Sequence, residues 1–194
     1  MSKVITFSRY FPAGHPRKAE PTDFVQKIWL SLIDCGLIST SKAVELSRET
    51  GIGDFNMDNI RKCPLEPKHH TIRSGNRWKV GDIFSPRVWN NDINPKSGRS
   101  GPYHSQQIAI APDIEIKKVW NFEVDACGVI SIDEQYFFDY DAEPSLEPCE
   151  KEVTLARNDG LAWEDFTNWL VMPCFRAAKP WNGQIICWNE HINY

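Results

Sequence analysis

The pattern of apolar and polar positions divides the chain into three stretches. Val4 to Phe11 alternates well enough to predict a first strand, and the loop Pro12-Ala13-Gly14-His15-Pro16 breaks it. Phe24, Val25, Ile28, Trp29, Leu32 and Ile33 then fall at helical spacing, with Thr22 placed to cap and Gly36 to terminate. A second helix is expected from Ser41 through Arg48, ending near Gly51. Residues 22–60 therefore read as a helical segment set between the first strand and the rest.

The middle of the chain is rich in strands. His70–Arg73 is short. Val80–Phe84 begins with a Gly81-Asp82 turn. Arg87–Trp89, Ser105–Ile110, Ile114–Val124 and Gly128–Ile132 follow. Many short strands punctuated by Gly and Pro predict a curled sheet or small barrel. Between two of them lies a polar, basic loop at about 90–102, a surface segment of the kind that carries recognition or only connects. The acidic stretch Asp133–Glu152 reads as a solvated loop or hairpin. A last helix is expected over Ala162–Leu170 and a closing strand from Gly183 to Asn189.

Composition narrows the class. A length of 194 residues suits one domain with insertions. Eight tryptophans imply a large aromatic core, with room for a stacking role at Trp78 or Trp89. The net charge of −4 hides an asymmetry. Eleven basic and five acidic residues lie between Arg61 and Lys118, whereas thirteen acidic and two basic lie between Glu123 and Asp165. The basic half suits a phosphate-bearing ligand. Cys35, Cys63, Cys127, Cys149, Cys174 and Cys187 include no CxxC pair, so a zinc ribbon or disulfide scaffold is not expected and no metal is assigned. The opening residues do not read as a secretory signal. No run approaches the roughly 20 apolar residues that span a membrane, so a soluble, cytoplasmic protein without a membrane partner is expected.

The candidate chemistry centres on Lys68-His69-His70-Thr71-Ile72-Arg73. On a strand, Thr71 and Arg73 share one face and Ile72 the other. A lysine, a threonine and an arginine at one strand end need a carboxylate to complete a site, and Asp159 is the candidate. Each has a plain structural alternative: a solvated Lys68, a Thr71 chosen for strand propensity, an Arg73 paired with a structural acid, an Asp159 at a turn or helix start. His69 and His70 look like a metal pair, but adjacent strand residues face opposite ways.

Taken in order, Ile5–Phe11, Lys68-His69-His70-Thr71-Ile72-Arg73, Trp78-Lys79-Val80-Gly81-Asp82, Ala156-Arg157-Asn158-Asp159-Gly160-Leu161 and Asp165-Phe166 resemble the ASCH domain family of the PUA-like superfamily. The resemblance implies an α+β fold: a PUA-like small mixed β-barrel with flanking helices, spanning 1–194 as one domain. Insertions would fall at about 22–60 and 90–102. It also implies a cleft for a nucleoside or RNA and, as in small bacterial relatives, hydrolysis of the acetyl amide of 4-acetylcytidine without a cofactor. Lys68 and Thr71 match two residues of that family's proposed catalytic set. Asp159 stands where the family has a Glu. Arg73, Trp78, Arg87 and Trp89 would bind substrate. The rival expectations are a non-catalytic RNA-binding module and a metal-assisted ribonuclease.

Overall fold

The computed structural model describes residues 3–56, 58, 60, 64–93, 96, 98, 101–137 and 148–194. The centre of the acidic stretch (138–147) and positions 94, 95, 97, 99 and 100 of the polar loop lie outside them.

A four-stranded sheet is built on β3 (Ile83–Trp89). β1 (Lys3–Phe7) pairs parallel along one edge, while β4 (Gln107–Ala109) and β5 (Ile114–Glu115) pair antiparallel along the other. Ile5, Phe7, Phe84 and Val88 point to one face. That face is covered by α1 (Phe24–Asp34), whose Val25, Ile28, Trp29 and Leu32 are buried against it. Trp29 Nε1 donates to the Ile110 carbonyl at 2.7 Å, so the largest side chain of the helix is also satisfied as a polar group. α2 (Thr40–Thr50) adds Ala43 and Leu46; Ser39 caps it through Lys42 N–H, and Gly51 closes it with a positive φ of 61°.

The second sheet is antiparallel, in the order β2-β9-β6-β7-β8. Its strands are β2 (His70–Ser74), β6 (Lys118–Val124), β7 (Ile130–Ile132), β8 (Gln135–Tyr136) and β9 (Trp181–Cys187). Ile72, Phe122, Val124, Ile130 and Ile185 meet the helical layer in a second core with Leu155 and Phe166. That layer comprises α3 (Glu150–Asn158), α4 (Trp163–Phe166), a π-helical turn over Thr167–Val171 and α5 (Met172–Ala177). On the opposite face, Ile186 and the neighbouring Trp188 join the first core. The second sheet is thus sandwiched between the two hydrophobic clusters, and β2 is its free edge.

The fold is α+β, as expected, but several elements differ from the sequence reading. The ladders form two sheets and, among the described residues, do not close into a barrel. The first strand stops at Phe7, because the chain turns at Ser8 and returns as a Tyr10–Pro21 bridge. Residues 83–89 make one strand that runs through Pro86, whose carbonyl accepts from Ile110 N–H at 3.0 Å. The expected strand Ile114–Val124 divides at Ile116-Lys117, where the chain crosses from one sheet to the other. Within the helical segment at 22–60, α1 is a wall of the first core. Among the described residues no helix is long and apolar enough to cross a membrane.

Candidate functional site

The site is assembled where α3 ends. Glu152 starts this helix by accepting the Cys149 N–H at 2.9 Å. At its C-terminus, Leu161 N–H returns to the Ala156 carbonyl at 3.0 Å and Gly160 N–H to the Arg157 carbonyl at 2.8 Å, the two bonds of a Schellman motif. Gly160 takes φ 74°, and a Cβ there would lie 3.0 Å from the Lys68 Cβ. Both the backbone sign and the close approach demand glycine. Asp159 therefore occupies a helix exit rather than a start.

The remaining helix-end carbonyls are taken by the segment leading into β2. His69 N–H donates to Asn158 O at 2.8 Å. Lys27 Nζ, from α1, donates to Gly160 O at 2.7 Å. Lys68 Nζ donates to both the carbonyl and the carboxylate of Asp159, the latter at 2.6 Å. Two lysines at a helix C-terminus face its negative pole. Lys68 is 1% exposed and lies 4.3 Å from the Phe24 ring centroid, so it is not a solvated side chain. Burial pushes its amine down to about 8, against the pull of Asp159 and with help from Arg73 and Lys27. Burial likewise raises the Asp159 carboxyl, against the pull of Lys68.

β2 brings the other groups. Thr71 is buried and lines the pocket described below, and no hydrogen bond of its hydroxyl is seen among the described residues. Arg73 donates from Nη2 to the Thr6 carbonyl at 2.6 Å and packs over the Phe7 ring. Among the described residues it pairs with no acid and its buried Nε has no partner, and one edge of its fork is taken by β1. His69 and His70 diverge: His69 Nδ1 meets Ser31 Oγ at 2.8 Å, whereas His70 Nε2 donates to Leu155 O at 3.2 Å. Among the described residues no three His, Cys, Asp or Glu side chains are placed to hold a metal ion.

Lys68, Thr71, Arg73 and Asp159 line one pocket of about 60 Å³, together with Ser8, Phe24, Ile72, Leu161, Trp169 and Leu170. Trp169 and Leu170 sit on the π-helical turn, a geometry often found at functional sites. The Trp169 ring stacks on Phe24 (5.8 Å, 28°) and tilts against Phe11 (5.6 Å). This aromatic wall is fixed from behind. Asp165 accepts Arg17 Nη1 at 2.7 Å through its carboxylate, and its carbonyl accepts His15 Nε2–H at 3.2 Å.

Three expected substrate-binding residues are elsewhere. Trp78 is 2% exposed and packs in the first core against Phe84, so it offers no open ring face. Arg87 and Trp89 belong to β3 and do not line the pocket. Arg87 Nε bonds Ser85 Oγ at 3.2 Å, and Trp89 tilts against Tyr103 at 5.5 Å. The sequence reading missed Phe24, Trp169 and His70 as site residues. The helical spacing of Phe24 and Trp169 marked them only as apolar, and nothing local signals the π turn. Comparison with protein-family models, with curated proteins and with solved structures finds no match.

Proposed function

We propose that the chain is an ASCH-type domain of the PUA-like class, working in the cytoplasm, that binds a nucleoside or RNA segment in this pocket and hydrolyses the acyl amide of a modified cytidine such as 4-acetylcytidine. One observation carries the reading. Residues some ninety positions apart, Lys68 and Asp159, meet at 2.6 Å and line one pocket with Thr71. The motif resemblance requires just those residues to converge.

The chemistry follows from the groups present. Neutral Lys68 takes the Thr71 proton as the hydroxyl oxygen attacks the acyl carbon. Collapse of the tetrahedral adduct breaks the bond to the exocyclic nitrogen, which receives that proton from Lys68 and leaves as the cytidine amine. Water then attacks the acyl-threonine, giving up a proton through Lys68 and releasing acetate and the free hydroxyl. Asp159 orients the amine. Arg73 offers its unpaired Nε–H to a carbonyl or phosphate oxygen. With the amine pKa near 8, about a tenth of Lys68 is neutral at pH 7 and half at pH 8, so turnover rises through this range.

A second reading has its own support. A pocket of about 60 Å³ is far below the several hundred that enclose a drug-sized ligand, so a whole nucleoside enters only if the Trp169 wall yields. Arg87, Trp89, Tyr103 and Arg9, whose Nη1 bonds the Asn90 carbonyl at 3.3 Å, suit contact with a single strand without catalysis. Incubation with 4-acetylcytidine decides between them. Release of cytidine that is lost on Thr71→Ala and Lys68→Ala supports the hydrolase. No turnover, with salt-sensitive RNA binding, supports the module. Strand cleavage stopped by a chelator would instead support a metal-assisted ribonuclease, for which no observation above speaks.

A further inference from the structure

His70 is buried completely on β2, with its ring edge-on to Tyr194 at 5.6 Å. Its Nε2 faces the Leu155 carbonyl, which can only accept, so the hydrogen resides on Nε2 and Nδ1 carries a bare lone pair. Nδ1 has no hydrogen-bond partner. Asp159 Oδ1, the same oxygen that receives Lys68 Nζ, lies 3.8 Å from it. An orphaned buried acceptor beside a buried carboxyl calls for an explanation.

We propose that His70 is a positioning residue of the Lys68–Asp159 pair: its Nδ1 accepts a hydrogen bond from the protonated Asp159 carboxyl, and so stabilises the state in which one proton has passed from Lys68 to Asp159. The transfer conserves protons and net charge. The N–H bond of the ammonium breaks, the carboxyl O–H forms, and the amine gains the lone pair that a base needs. Closing 3.8 Å to hydrogen-bond distance takes about 1 Å of carboxyl movement.

The surroundings favour an acceptor over a cation at this place. Lys68 and Arg73 come from the β2 segment, as does His69, and Lys27 comes from α1; Asp159 comes from α3, and Tyr194 closes the other side. Burial and the neighbouring Lys68 hold the imidazole well below its ordinary pKa, so it remains neutral. The family resemblance assigns nothing to this position. The inference rests on Lys68 and Asp159 being the working pair, but not on any substrate.

Two variants separate the acceptor role from simple packing. His70→Gln keeps an N–H for Leu155 and loses the acceptor at Nδ1; His70→Asn keeps an acceptor near Nδ1 and loses the bond to Leu155. The Lys68 amine is titrated by NMR in the intact protein with labelled lysine, its signal assigned through Lys68→Met. A hydrogen bond to the protonated carboxyl favours the neutral amine without releasing a proton, so it shows in the amine signal on the plateau below the midpoint. There His70→Gln is expected to cut the neutral fraction about threefold, read as a shift toward the ammonium value, while His70→Asn leaves the signal in place. A wild-type plateau in His70→Gln, or equal shifts in both variants, overturns the proposal. Should either variant not fold, the imidazole nitrogen shifts of the unaltered protein decide: an Nε2–H tautomer is expected, and an Nδ1–H tautomer overturns it. Turnover of acetylcytidine is not read, so failure of the hydrolase reading leaves this test standing.

Discussion

Lys68→Met gives the most direct check on the buried amine, because it keeps the apolar stem and removes the charge. The folded protein releases this proton at about pH 8, the unfolded chain near the ordinary 10.5. Between those values the unfolded chain holds a proton that the folded one lacks. Unfolding therefore takes up a proton, and stability rises with pH across the window. Integrated over it, the gain is about 3 kcal/mol. Burial also holds the Cys187 thiol up to about 12 and raises Tyr194, and these groups make stability fall at high pH. They are present in both proteins and cancel in the difference, which reports Lys68 together with the Asp159 carboxyl it faces. Urea denaturation followed by tryptophan fluorescence from pH 7 to 10.5 measures it. The wild-type stability minus that of Lys68→Met is expected to be level up to about pH 8 and then to climb by about 3 kcal/mol. Parallel curves throughout would refute the claim that burial outweighs Asp159 in setting this amine.

Other outcomes follow from the same geometry. Gly160→Ala forces a side chain into φ 74° and 3.0 Å from Lys68 Cβ; it is expected to lower stability by about 1–3 kcal/mol in the same denaturation assay. Thr71→Val removes a hydroxyl for which no hydrogen bond is seen among the described residues, so stability should stay within about 1 kcal/mol of wild type while acetylcytidine turnover disappears. Asp159→Glu restores the residue of the family that the motif resembles, but the carboxylate is buried and already 2.6 Å from Lys68 Nζ. The extra methylene displaces the carboxylate from this contact, so a loss of about 1–3 kcal/mol and lower turnover are expected, measured by denaturation and by cytidine release.

Much of the site was legible because its signals are local. Period-two alternation put Thr71 and Arg73 on one face of β2, and the spacing of α1 marked its buried stripe. Ser39 and Gly51 bound α2 as capping residues do. What escaped depends on distant partners. α3 begins in the last three residues of the acidic stretch Asp133–Glu152, which reads as loop or hairpin, and its end is fixed by Lys68, His69 and Lys27 from elsewhere in the chain. Trp78 looked like a stacking residue since exposure is not written in a side chain's type; packing against Phe84 decided it. The split of Ile114–Val124 follows from where β3 and β9 end, and no window of that segment contains either strand. Trp169 reaches the pocket through a π turn, which shifts side chains off the ordinary helical face.

The arrangement also bears on the role proposed for Lys68, in which one lysine both caps a helix and acts as a base. As an ammonium, Lys68 has three hydrogens, of which two go to the carbonyl and carboxylate of Asp159. As an amine it has two hydrogens and a lone pair. Both bonds to Asp159 survive deprotonation, so the helix end need not open when the base forms. What changes is the third direction, which passes from donor to acceptor. The Asp159 carboxylate reaches Lys68 because it stands at the helix exit itself, where its own carbonyl shares the grip. The buried pair is costly in isolation. Here the charge of Asp159 and its hydrogen bond offset part of that cost, and they hold the amine at about 8 although Arg73 and Lys27 push it the same way as burial.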